Sequence, residues 1–167
     1  MASSFSPEPP PAPAGPSVAE LSMGEQLVLW AVRKRLEGEA QLPAVRRGFR
    51  LADRGPHERD AFEAFEQLFG AIGRSCRRDL WFHRCGCGCG CVSGDELTIL
   101  GLIAAEQSGD IASALFFGRA LVTPAAVVEV LRAAHLLALA LAERGLALPL
   151  RQRSAPAQLD DSSRRLH

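Results

Sequence analysis

Apolar residues recur along most of the chain at intervals of three and four, the repeat that lines one face of an α-helix. The clearest run is Phe62, Phe65, Phe69 and Ile72, set opposite Glu58, Arg59, Glu63 and Glu66. It predicts a helix from about His57 to Gly73. Upstream, Ser22-Met23-Gly24-Glu25 reads as a capping box, in which each side chain satisfies an otherwise orphan backbone N–H. The helix it opens runs to about Glu37, with Leu27, Val28, Leu29, Trp30, Val32 and Leu36 on all sides of its axis. A helix apolar all round belongs in the centre of a core. Pro43 suits the first turn of a second, shorter helix that ends near Gly55-Pro56.

Ser93-Gly94-Asp95-Glu96 is another capping box, its acids standing at the positive end of the helix dipole. That helix turns Leu97, Leu100, Ile103 and Ala104 inward and stops near Ser108-Gly109. Asp110 caps the next, which presents Ile111, Leu115, Gly118 and Leu121. Thr123-Pro124 then starts the longest helix by cap plus proline, and Gly145 ends it. No segment alternates as a strand does, although Leu80-Trp81-Phe82 suits a locally extended backbone. The expected fold is all-α, a compact bundle of about six helices.

Residues 1–17 form a Pro-rich tail, with six prolines between Met1 and Pro16 and almost no large apolar side chain. Such a segment cannot bury enough surface to offset its ordering entropy, so disorder is expected. Residues 151–167, rich in Arg, Ser and Asp, read as a second disordered tail. A single helical domain, residues 18–150, lies between them.

A length of 167 residues at 47% apolar content fits one domain with a substantial core. Nineteen basic residues balance nineteen acidic ones, so no overall field draws the protein to nucleic acid or to acidic lipid. All the basic residues but Lys34 are arginine, which with the wealth of Ala, Gly and Pro points to GC-rich coding. The N-terminus shows neither the basic nor the apolar region of a secretory signal. The most apolar stretch, Val127 to Leu150, carries Glu129, Arg132, His135, Glu143 and Arg144, whereas a membrane span needs about 20 mostly uncharged residues. These features imply a cytoplasmic protein, away from membranes, whose thiols stay reduced.

One segment exceeds what a helical domain needs. From Cys85 to Cys91 the chain reads C-G-C-G-C-G-C, four of its five cysteines in seven residues. In an extended backbone, alternate residues point to one side, so Cys85, Cys87, Cys89 and Cys91 would form a row of thiols with His83 in register. The intervening glycines let the loop collapse around an ion, at an entropic cost. Two thiolates from the run plus Cys76 and His83 make a less strained set. Zinc, Cu(I) or an iron–sulfur cluster all suit such ligands. Against this, structural zinc sites usually draw two knuckles from separated segments, and no second knuckle exists here. Slippage in a six-base Cys-Gly repeat would produce the same run as a pliant connector. A redox thiol is a further alternative, since Arg74, Arg77, Arg78 and Arg84 flank the cysteines and favour thiolate. His83 is the one nearby base, without an evident acid to orient it.

Other residues read more plainly. His135 falls among apolar positions of the last helix and is expected to be buried. His57 reads as surface, and Arg46, Arg47, Arg50 and Arg54 as a solvated face. Trp30 and Trp81 are core or rim aromatics. A phosphate-binding glycine loop, a G-x-S-x-G elbow and an H-E-x-x-H helix are absent. The sequence therefore points to a non-enzymatic helical module for self-association or a protein partner. A soft-metal protein is the alternative, and a thiol redox sensor the second.

The segments E-Q-L-V-L-W-A-V-R (Glu25 to Arg33), H-R-C-G, C-V-S-G-D-E (Cys91 to Glu96) and L-I-A-A-E-Q-S-G-D (Leu102 to Asp110) carry a resemblance. In this order the chain resembles a group of small all-helical bacterial proteins from GC-rich genomes. The resemblance covers most of Leu21 to Leu148 and rests on helix starts and core positions. It implies a bacterial, cytosolic, helical protein and transfers no functional residue.

Overall fold

The computed structural model describes residues 16–52, 55, 59–83 and 90–151. Six α-helices follow in order: α1 Met23–Leu36, α2 Leu42–Leu51, α3 Ala61–Ser75, α4 Gly94–Ser108, α5 Ile111–Leu121 and α6 Val127–Glu143. Among the described residues there is no strand, and Leu80, Trp81 and Phe82 lie in irregular backbone. The all-α bundle expected from periodicity is the observed fold. Both capping boxes form: Ser22 accepts from the Glu25 N–H and Ser93 from the Glu96 N–H, while each glutamate reaches back to its serine's N–H. Gly109 closes α4 at φ 71°, a left-handed conformation that glycine adopts without Cβ strain.

Some boundaries shift for local reasons. The third helix starts at Ala61 rather than near His57, because the Asp60 carboxylate accepts from the N–H groups of Phe62 and Glu63. His57, Glu58 and Arg54 fall outside the described residues. Thr123-Pro124 opens a single 3-10 turn, Pro124–Ala126, before α6 begins.

The centre of the bundle differs from the expected one. Helix α1 does not lie centrally: it packs on α2 and α4, with Met23 and Leu36 exposed. The central pair is α4 and α6, flanked by α5 on α4 and α3 on α6. Alanines 104, 105, 133, 134, 138 and 140 are all buried, and such short side chains let neighbouring helices approach closely. Leu102, Ile103, Leu137, Leu141 and Phe65 fill the space between them. Phe65 stands 5.4 Å from Phe49 and 5.9 Å from Phe69, centroid to centroid. Trp30 is half-buried over Gly48 of α2.

Two further expectations are corrected. Ile111 points outward, being the first residue of α5. His135 is exposed, with Nδ1 3.1 Å from Glu106 Oε2, because its position lies at the edge of the buried stripe of α6. Arg46, Arg47 and Arg50 are exposed, as a solvated face requires, and the Arg46 guanidinium also lies 4.6 Å over the Phe62 ring. With its opening 3-10 turn, Pro124–Glu143 is long and apolar enough to cross a membrane, which the sequence reading did not recognise. Half of it is buried within the bundle, and packing on α3 and α4 accounts for its apolar composition.

The chain after α6 returns across the start of α1. Leu146 and Leu148 are buried, Gln107 bonds the backbone of both, and Ser22 Oγ donates to the Ala147 carbonyl. Arg151, assigned by sequence to the polar tail, is tied to the start of α1: its guanidinium donates to both Glu25 oxygens at 2.8 and 2.9 Å. Residues 152–167 of that tail, and 1–15 of the other, lie outside the described residues.

Replacing Phe65 by Ala is expected to cost about 3–5 kcal/mol in urea denaturation, through lost burial and the cavity left. Gly101→Ala is expected to cost about 1–3 kcal/mol. A Cβ there would stand 2.7 Å from the Phe117 ring, so that ring must move aside.

Candidate functional site

The start of α4 is a junction built from its own cap. The capping geometry turns Glu96 back toward Ser93, and the side chain ends with no exposed surface. An isolated carboxylate there would be prohibitively costly. Four N–H groups satisfy it. Arg33 of α1 donates Nε to Oε1 at 2.8 Å and Nη2 to Oε2 at 2.9 Å. The His83 N–H reaches Oε1 at 3.1 Å and the Ser93 N–H reaches Oε2 at 2.7 Å. A carboxylate has about four acceptor positions, so its capacity is filled.

Asp95 serves the same end one residue earlier. Arg78 binds it in a two-pronged pair at 2.5 and 2.9 Å, and the Trp81 N–H donates at 2.7 Å. The Arg78 hydrogen bond holds the Asp95 carboxyl below its ordinary pKa, the Trp81 N–H adds to this, and burial opposes it. The same bond raises Arg78. Ser93 Oγ donates to the Trp81 carbonyl at 2.6 Å.

These contacts fix the described chain on both sides of the cysteine run. The outgoing limb, Arg78 to His83, hangs on Asp95, Ser93 and Glu96. The returning limb is held where Arg33 Nη2 donates to the Cys91 carbonyl at 2.7 Å and the Val18 N–H to the Gly90 carbonyl. Ser17 and Cys91 form an isolated antiparallel bridge.

The predicted ligands divide accordingly. Cys85, Cys87 and Cys89 lie outside the described residues. Cys91 is half-buried on the returning limb, and His83 contributes its backbone N–H to Glu96 on the outgoing one. Cys76 is exposed at the end of α3, in a different backbone neighbourhood, bridging to Val122. Among the described residues no group of three His, Cys, Asp or Glu side chains stands ready to hold a metal ion. Three of the arginines expected beside the thiols are engaged elsewhere. Arg74 pairs with Glu129, Arg77 donates to the Arg119 carbonyl, and Arg78 binds Asp95.

A second feature was not foreseen from sequence. Between α5 and the turn after α3 runs an open groove of about 460 Å³, lined by Arg77, Ala112, Leu115, Phe116, Arg119 and Ala120. The α5 residues recur at i, i+3, i+4, i+7 and i+8, one face of the helix. Phe116 is 44% exposed. The sequence signal was present: α5 carries apolar residues around its whole circumference, more than one buried face requires.

No family model, no curated protein and no solved structure matches the chain. Function has to be read from these two features.

Arg33→Ala leaves the Glu96 carboxylate buried and short of two donors, and is expected to destabilise by about 3–5 kcal/mol. Arg74→Ala, in an exposed pair, is expected to cost about 0–1 kcal/mol. Because Asp95 has a depressed folded pKa, its contribution is complete above its unfolded value and lost as pH falls through the lower folded one. Asp95→Asn should therefore flatten the acid limb of the stability profile, below the ordinary carboxylate range of about pH 4, measured by denaturation at each pH.

Proposed function

We propose that the protein is a non-enzymatic helical interaction module, acting in the cytoplasm, whose contact surface is the open face of α5. The observation that carries this reading is the groove itself: an apolar face of α5, flanked by cations and open among the described residues. Exposed apolar groups that are contiguous mark interaction surfaces far more often than scattered ones do. The bundle needs no partner to fill its own interior, because its central helices are already packed on both sides. Phe116→Glu places a charge in the groove without touching the core. Native mass measurement across a concentration series, with affinity capture in parallel, should show an association that wild type makes and Phe116→Glu loses. A monomer that captures nothing the variant fails to capture would dispose of the reading.

The tethering of the chain on both sides of the cysteine run, to the start of α4 before it and to Arg33 and Val18 after it, favours soft-metal binding as a second reading. Holding the ends of a loop lowers the entropy lost when its middle closes on an ion. Zinc, copper or iron in stoichiometric amount is expected in protein purified without a metal-affinity tag. Changing Cys85, Cys87, Cys89 and Cys91 together to Ser should then abolish it. Metal coupled to folding contributes on the order of 10 kcal/mol, so a chelator would lower the melting temperature of wild type alone. Elemental analysis finding no metal, with identical melting of both proteins, rejects it.

A further inference from the structure

We infer that the α5 groove receives an amphipathic helix from a partner protein, one whose apolar stripe is flanked by carboxylates. This rests on the α5 face being the contact surface, and goes beyond it in assigning the partner's chemistry.

The shape calls for a helix. Ala112, Leu115, Phe116, Arg119 and Ala120 span two turns of one helix face, about 12 Å of rise. Alanine at either end of the stripe lowers the groove there, while Phe116 stands proud between them. Side chains from a second helix at i, i+3, i+4 and i+7 interdigitate with such a relief.

The charge calls for carboxylates. Arg77 and Arg119 line the groove, and neither has a carboxylate partner among the described residues. Arg77 is held in place rather than trailing. Its backbone N–H donates to the Leu121 carbonyl at 3.2 Å, and its Nη1 to the Arg119 carbonyl at 2.8 Å. That second bond also offsets the negative end of the α5 dipole, which would otherwise repel an acidic ligand. The opposite end of the face, at Ala112, is apolar. A second copy of the chain meets these requirements less well. Helix α5 contains no acidic residue, and its cap Asp110 is already bound to Ser113 by both oxygens. A contact of α5 with α5 would cover the guanidinium groups while supplying no carboxylate from that face, which is unfavourable.

The test uses the full-length protein and two synthetic 14-residue helical peptides with leucine at i, i+3, i+4 and i+7. One carries Glu at the flanking positions, the other Lys. Calorimetry should give at least ten-fold tighter binding for the Glu peptide, and backbone NMR shifts should centre on Leu115, Phe116 and Ala120. Arg119→Glu alone should erase that preference, and Arg77→Glu with Arg119→Glu should reverse it toward the Lys peptide. A circular-dichroism spectrum checks that each variant remains folded. Equal affinity for the two peptides overturns the inference, as do shifts centred away from α5. So does a wild-type dimer through α5 that the Glu peptide fails to displace. Loss of an association in Phe116→Glu, without any peptide preference, would leave the contact surface standing and remove only the acidic helix.

Discussion

The bond between Arg33 and Glu96 fixes more of this molecule than any other single contact. It joins α1 to the start of α4, and through Oε1 and the Arg33 Nη2 donor it also holds His83 and Cys91. The pair is almost fully desolvated, with Glu96 at 0% and Arg33 at 10% side-chain exposure. Such a pair adds little net stability over an apolar replacement, because desolvation consumes much of the Coulomb gain. Its value is geometric. A carboxylate accepting four N–H groups in fixed directions permits one arrangement of the segments that carry them, where packing alone would tolerate several.

The same device recurs at the start of α1. Glu25 completes the Ser22 capping box and then takes the Arg151 guanidinium from the far end of the domain. Burial raises the Glu25 carboxyl, yet the hydrogen bonds from Arg151 and the Ser22 N–H together leave it below its ordinary pKa. In both helices the capping glutamate lies along its own helix start with one edge toward the protein interior. The local motif uses part of its hydrogen-bonding capacity and a distant arginine takes the rest. A signal that reads as secondary-structure punctuation is thus also a tertiary anchor.

That dual role explains what was legible. Capping depends on residues three apart, and the periodicity of Phe62, Phe65 and Ile72 on residues within one helix, so both could be read directly. The partners of Glu25, Asp95 and Glu96 could not. Eighteen arginines look alike in sequence, and those chosen lie 126, 17 and 63 positions away. The central position was misread because apolar side chains around α1 outweighed alanines in α4 and α6. Burial follows how closely helices approach, and alanine favours approach more than hydropathy reveals. For the site, composition disclosed the cysteine run, while its tethering and the α5 groove both depend on where arginines end up.

Arg77 and Arg78 show how closely the two features are joined. They are consecutive, yet one reaches the Arg119 carbonyl at the groove and the next binds Asp95 beside the cysteine loop. The strand-like contact of Cys76 with Val122, and the Thr123 N–H bonded to the Ser75 carbonyl, keep this turn against the end of α5. The backbone between the two guanidiniums has little slack. A ligand bound by Arg77 would therefore act on a segment already tied, one residue later, to the start of α4. The guanidinium spends one of its five N–H groups on the Arg119 carbonyl, so others remain for an incoming carboxylate while that bond holds the side chain in place.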